Sequence, residues 1–266
     1  MKPPAIPYLY CMKKIFQSLI LCCLAVGSVY SQQEGTILFE QKANLHRRIT
    51  AENEDMKKMI PEFRTSNFEL LYTETTSLYR PVEDDEPNMG PPGGGFGGPP
   101  GPGMRFRMPE VIYYRTLDND YSLTQRSIFE KKYLVEDTLR IPAWKLSNEN
   151  KEILGMKCMK ATLSTEVHRD TLVIKNDIIA WYAPAIYSPF GPESYGGLPG
   201  MILALDINKG EMTYIAKSIN PKVDKSEIKA PSKGEKISAL AFQKLMDERM
   251  KEMMKNGRGR GGMMRF

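Results

Sequence analysis

Few side chains in this sequence are of kinds that do chemistry, and their spacing limits what that chemistry can be. The two histidines, His46 and His168, stand beside Arg47-Arg48 and within the polar stretch from Glu166 to Asp170. Neither has a partner at the spacing of a zinc site, and no Ser, Cys or Thr lies in a nucleophile motif, so both are expected to be exposed turn histidines. Glu193, in the aromatic stretch FGPESYGG, suits a general acid because desolvation raises a carboxyl pKa, but one acid without a partner makes no catalytic site.

Methionine is abundant, with 17 in the chain, and Met156, Cys158 and Met159 cluster ahead of a strand. Thioether and thiolate ligands select Cu(I), which makes a Met/Cys copper site one alternative reading. A strand, however, would turn Met156 and Cys158 to one face and Met159 to the other. Met250, Met253 and Met254 extend a helical stripe with Phe242 and Leu245, where methionine fills core gaps. The expectation is therefore a protein that is not an enzyme, with no metal and no cofactor.

The elements that hold these residues begin after an expected leader. Met12-Lys13-Lys14, the apolar run from Ile15 to Val26 and the small residues Val29 and Ser31 form a secretory signal peptide over residues 1–31. The run is too short to span hydrocarbon, so the chain is not expected to span a membrane once the leader is cut. A lipoprotein signal is disfavoured because Leu21 precedes Cys22 and Cys22 precedes Cys23, where a small residue is required. The 37 basic residues include Lys2, Lys13 and Lys14 of the leader, leaving 34 against 32 acidic ones, a net of +2. The leader also takes Cys11, Cys22 and Cys23, so Cys158 stands alone and the exported domain must rely on a core, not on disulfides.

Residues 32–255 read as one β-rich domain. Gly35 to His46 and Phe68 to Tyr79 are expected strands, followed by short apolar or alternating runs at Val111 to Tyr114, Tyr121 to Phe129, Tyr133 to Val135, Ala161 to Val167, Thr171 to Ile174, Ile178 to Tyr182, Ile202 to Ile207 and Met212 to Ile219. Ala51 to Met59 is a short charged helix or turn. From Pro87 to Gly103, 14 of 17 residues are Gly or Pro, the composition of a flexible loop, and the insert extends over residues 87–108. Ser238 to Lys255 has the periodicity of an amphipathic helix, stopped by Asn256-Gly257; residues 256–266 form a disordered basic tail. The arginines of RFRMPE and of that tail suit nucleic acid, but export removes it as a partner, and anionic envelope lipid is the better match.

One segment stands out, WYAPAIYSPFGPESYGGLPGMIL from Trp181 to Leu203. Its prolines and glycines specify a tight backbone path into a strand. With Ile153-Leu154-Gly155, Lys157-Cys158, Ala180-Trp181-Tyr182-Ala183-Pro184 and Gly191-Pro192, the turn Gly197-Leu198-Pro199-Gly200-Met201-Ile202 resembles the signature of the GLPGLI family of exported Bacteroidota proteins, with Met201 in place of the second leucine. No biochemical activity accompanies that resemblance. It implies a mainly β (α+β) fold, a curved antiparallel meander, half-barrel-like, closed by the C-terminal helix. The expected role is a binding or carrier module of the periplasm or outer envelope for a lipidic, peptide or protein partner, or else an accessory subunit of an outer-membrane complex. The signature loop is either scaffold or a contact surface made by Trp181, Tyr182, Tyr187, Phe190 and Tyr195. N-terminal sequencing of the protein from the envelope should begin at Gln32 or its cyclised form; a full-length cytoplasmic product would contradict export.

Overall fold

The computed structural model describes residues 33–49, 54, 57–58, 60–82, 111–128, 131–169 and 172–260. The leader, the Gly/Pro-rich insert, most of Ala51 to Met59 and residues 261–266 of the tail lie outside the described residues.

The domain is mostly β: a single open sheet of twelve strands and one C-terminal helix. The strands are β1 (Gly35–Asn44), β2 (Phe63–Tyr72), β3 (Thr76–Pro81), β4 (Ile112–Thr116), β5 (Tyr121–Ile128), β6 (Lys131–Thr138), β7 (Lys145–Ile153), β8 (Met156–Arg169), β9 (Leu172–Ala183), β10 (Met201–Ile207), β11 (Met212–Asn220) and β12 (Glu235–Ser238). Their order across the sheet is β12-β6-β5-β4-β3-β2-β1-β11-β10-β9-β8-β7. Two meanders, β1 to β6 and β7 to β11, are thus fused by the antiparallel pairing of β1 with β11.

The sequence expectation of a wholly antiparallel sheet is corrected at one edge. β12 runs parallel to β6, with Ile237 opposite Val135, so the sheet is mixed. Parallel neighbours need a crossover rather than a hairpin, and here residues 221–234 carry the chain from β11 to that edge. The crossover is clipped to the sheet by Arg80, which bridges Glu69 and Glu227, and by Thr36 Oγ1, which donates to Lys222 O at 3.2 Å.

Other differences have local causes. The expected strand from Phe68 to Tyr79 is two strands, because a tight turn at Thr73–Thr75, closed by Thr73 N donating to Thr76 O at 2.8 Å, folds β3 back on β2. The described part of the run at Thr171 to Ile174, from Leu172, and the run at Ile178 to Tyr182 belong to one strand, β9, paired along β8 from Arg169 to Met159. β7 and β12 have no counterpart among the expected strands. β7 is an edge strand of mostly exposed, polar or charged residues, turned into β8 by Leu154 and Gly155 at φ 51° and 75°. The helix α1 runs from Ala239 to Arg260, continuing past Asn256-Gly257 where the sequence reading ends it. Its Phe242, Leu245 and Met246 pack on Tyr133, Val135, Ile128 and Ile237, with Phe242 edge-on to Tyr133 at 5.8 Å.

Alternation along the strands turns Ile37 and Phe39 of β1, Leu70 and Tyr72 of β2, Tyr79 of β3, Tyr113 of β4 and Tyr214 of β11 to one face. All are buried. Aromatic rings run across this face: Phe68 stacks on Tyr79 at 5.1 Å, and Tyr79 meets Phe39 and Tyr113 edge-on at 6.2 and 6.1 Å. On the opposite face Leu71, Leu78, Leu123 and Leu134 are buried as well.

Candidate functional site

The segment between β9 and β10, residues 184–200, lies over the aromatic face and contributes to the core. Ile186, Phe190 and Leu198 are each at most 2 % exposed and pack in the same cluster as Ile37, Phe39 and Tyr79. Its backbone is tied to the start of β10: Met201 N donates to Ile186 O at 3.2 Å and Ile202 N to Phe190 O at 3.0 Å. Within the loop, Gly197 N donates to Pro189 O at 2.8 Å.

Two distant residues hold the loop from outside. Arg115, 1 % exposed on β4, lies five places from β10 in the sheet and still reaches the loop. Its Nη1 donates to Tyr195 O at 2.7 Å and its Nη2 to Gly191 O at 2.6 Å, while the guanidinium carbon stands 5.2 Å from the Phe190 ring centroid. Trp144, in the link before β7, donates Nε1–H to Gly196 O at 2.9 Å. Burial pushes the Arg115 pKa down to about 10, which leaves it charged at neutral pH.

The glycines of the signature are required by close approach. At Gly200, φ is +148° and a Cβ would lie 2.4 Å from Ala183 O. At Gly196 a Cβ would lie 2.5 Å from Pro189 O and 3.2 Å from Arg115 Nη1, so a side chain there would displace both the turn and its anchor.

Glu193 sits at the centre of a ring of tyrosines, itself in the left-handed region at φ 52°. Tyr214 donates its hydroxyl to Glu193 Oε1 at 2.5 Å and receives Gln41 Nε2 at 3.0 Å. Tyr113 lies within the field of the Glu193 charge and accepts from Arg126 Nη2 at 3.2 Å. Desolvation first, and then the Glu193 charge, push the pKa values of Tyr214, Tyr79 and Tyr113 far above the ordinary range, and that of Tyr195 up to about 12. These hydroxyls remain protonated at neutral pH; that of Tyr214 donates to Glu193, and that of Tyr79 is buried without a hydrogen-bond partner among the described residues. The arrangement ties the loop tip to β11 through the Tyr214–Glu193 bond.

The sequence-nominated residues are dispersed by this geometry. Tyr187 is 67 % exposed, whereas Phe190 and Tyr182 are at 1 % and 3 %. Trp181 is half-buried under Lys151, whose Nζ stands 4.4 Å from the ring centroid. Tyr195 is half-buried and offers its backbone carbonyl to Arg115. Of the signature residues, Gly191, Pro192, Leu198, Gly200, Met201 and Ile202 are buried, Gly197 is half-buried and Pro199 is exposed. Truncating Phe190 would remove core packing worth about 3–5 kcal/mol, so a joint alanine change at Tyr187, Phe190 and Tyr195 would not spare the fold.

His46 opens a 3-10 turn with Nε2 3.0 Å from Ile60 O. The Cys158 thiol is fully buried and pushed up to about 11 by desolvation, the state of an unreactive thiol. Among the described residues no group of three His, Cys, Asp or Glu comes together, and no helix is long and apolar enough to cross a membrane. Arg115 and Trp144 escaped sequence reasoning; the only signal was that Arg115 shares strand parity with Tyr113, which places it on the apolar face.

Fold and loop together define a β-sheet protein organised around a buried Pro/Gly signature. Residues 169–204, which contain β9 and that loop, match a Bacteroidota-associated family described as protein of unknown function (Porph_ging), and the match fits a GLPGLI-type protein. No curated protein matches the sequence. Among solved structures the fold is similar to PNGF-II in its P21 and C2 crystal forms, each with a TM-score of 0.51 and 13% identity, over 80% and 79% of this chain. The chain spans 32% of the length of those structures, and at that identity the likeness shows fold alone.

Arg115→Met should lower unfolding free energy in urea by about 3 kcal/mol or more, because the buried Gly191 carbonyl and the half-buried Tyr195 carbonyl lose a charged donor. Gly200→Val should be comparably damaging, while Tyr187→Ala should stay within about 0.5 kcal/mol as an exposed change. An Arg115→Met protein as stable as the parent would show that the loop is held by other means.

Proposed function

We propose that this is an exported, non-enzymatic envelope protein that works by binding a peptide or protein partner, with its signature loop serving as internal scaffold. The observation that carries the reading is the filling of the aromatic face by Ile186, Phe190 and Leu198. A carrier of lipid needs an apolar cavity, and here the chain's own loop occupies the surface on which one would form. What remains outward is a rigid rim with exposed apolar side chains. Ile141 is 81 % exposed beside Gly197, and Tyr187 is 67 % exposed on the loop itself.

A half-barrel form for the sheet rests on a length argument. Residues 139–144 join β6, second in the sheet, to β7 at the far edge, ten places away. Ten places in a flat sheet measure roughly 48 Å, but the seven peptide units from Thr138 to Lys145 reach at most about 25 Å. A sheet curled toward closure around the loop reconciles the two lengths.

The test uses Ile141→Ala with Tyr187→Ala, both exposed, in tagged protein cross-linked in the envelope. The reading expects a stoichiometric protein partner with the parent and its loss with the double variant at unchanged melting temperature. Native mass spectrometry that instead finds bound lipid, with no partner in either protein, would overturn it in favour of a carrier.

A further inference from the structure

On the face that the signature loop covers, Tyr72 of β2, Ser77 of β3 and Arg115 of β4 stand side by side in register. All three are at most 1 % exposed, as is Ser188 of the loop. Each carries a buried polar atom with no hydrogen-bond partner among the described residues: Tyr72 Oη, Ser77 Oγ, Arg115 Nε and Ser188 Oγ. Buried polar groups are almost always bonded, so four orphans on one face and its loop require a cause.

The Arg115 guanidinium decides what that cause is. Its Nη1 and Nη2 hold the Tyr195 and Gly191 carbonyls, which leaves Nε–H over and the positive charge without a negative one to meet it. The ionisable group that acts on it is the Tyr113 hydroxyl, which stays protonated at neutral pH. Ser77, directly across the ladder, is a short side chain between two long ones, and its hydroxyl does not bond Nε although it stands one strand away. Ser188 comes from the loop stretch beside the guanidinium. It precedes Pro189, and the Pro189 carbonyl and Arg115 Nη1 lie 2.5 and 3.2 Å from the same point, the Cβ position at Gly196.

We propose that Arg115 Nε–H, Ser77 Oγ–H and Ser188 Oγ–H enclose one monovalent anion of chloride size, buried between β3, β4 and the signature loop. Every one of these groups can donate, and none is acidic. Water would satisfy the hydroxyls but leave the cation unbalanced in a core sealed from solvent, where an unpaired charge is costly; a single negative charge balances it. Because the donors are sealed, the occupant is a bare ion rather than one end of a larger ligand, and it is taken up as the loop closes on the sheet. The site is independent of the partner rim at Ile141 and Tyr187, so either can fail without the other.

The experiment follows urea unfolding of the protein while chloride replaces gluconate at constant ionic strength, gluconate being too large for the enclosure. An ion held by the native state alone lowers the unfolding equilibrium constant in proportion to its concentration, about tenfold from 20 to 200 mM chloride. Ser77→Val, which fills the enclosure with methyl groups and keeps a strand-favouring residue on β3, should fold and lose that dependence. Ser188→Ala should move it to at least about threefold higher chloride, as the loss of one donor does. In crystals grown in bromide, an anomalous peak should stand within roughly 3.5 Å of Arg115 Nε and Ser77 Oγ. An unfolding constant indifferent to chloride, the parent's chloride dependence retained in both variants, or bromide crystals with no anomalous peak at that place would each overturn the proposal.

Discussion

A guanidinium sealed from water must find its compensation inside the protein, and Arg115 finds it in the backbone of the signature loop. Burial opposes its charge, as the fall of its pKa to about 10 records. For a base whose pKa is lower in the folded than in the unfolded chain, that opposition is fully present below about pH 10 and fades only above it. Two charge-assisted bonds to the Gly191 and Tyr195 carbonyls and the face of Phe190 offset it. The loop depends on the cation as much as the cation on the loop, because the Gly191 carbonyl is buried where no water replaces the guanidinium.

The rest of the fold follows from bringing β4 and the loop together. β1 pairs with β11, so the two meanders form one continuous sheet, and Arg115 then spans from the first meander to the connection between β9 and β10. Tyr214 adds a second tie by holding Glu193, and Trp144 a third at Gly196. The three ties come from β4, β11 and the link before β7. A loop fixed from three directions has little freedom, which explains why the sequence requires glycine where backbone passes close to Ala183 and Pro189.

Much of this was legible in the sequence where the determinants are local. Alternation identified β1, the spacing of the apolar runs separated β10 from β11, and the density of Pro and Gly marked the signature loop. What stayed hidden depends on distant pairing. Thr73–Thr75 reads as strand because threonine favours extended backbone, and only the return of β3 onto β2 makes it a turn. β7 is charged because it is an edge, and β12 is too short to announce a parallel pairing made across the crossover. Arg115 went unnoticed, since a single arginine after two tyrosines carries no mark of the carbonyls waiting for it 76 and 80 residues later.

If the loop is part of the core rather than a covering, its amides should open only when the whole domain unfolds. Native-state hydrogen exchange of the Gly197, Met201 and Ile202 amides, which donate to Pro189, Ile186 and Phe190, tests this directly against the amides of Leu205 and Ala216 in β10 and β11. The account predicts opening free energies within about 1 kcal/mol of the strand values, with the same denaturant dependence. Loop amides that exchange through a low-energy opening, while β10 and β11 stay protected, would contradict it.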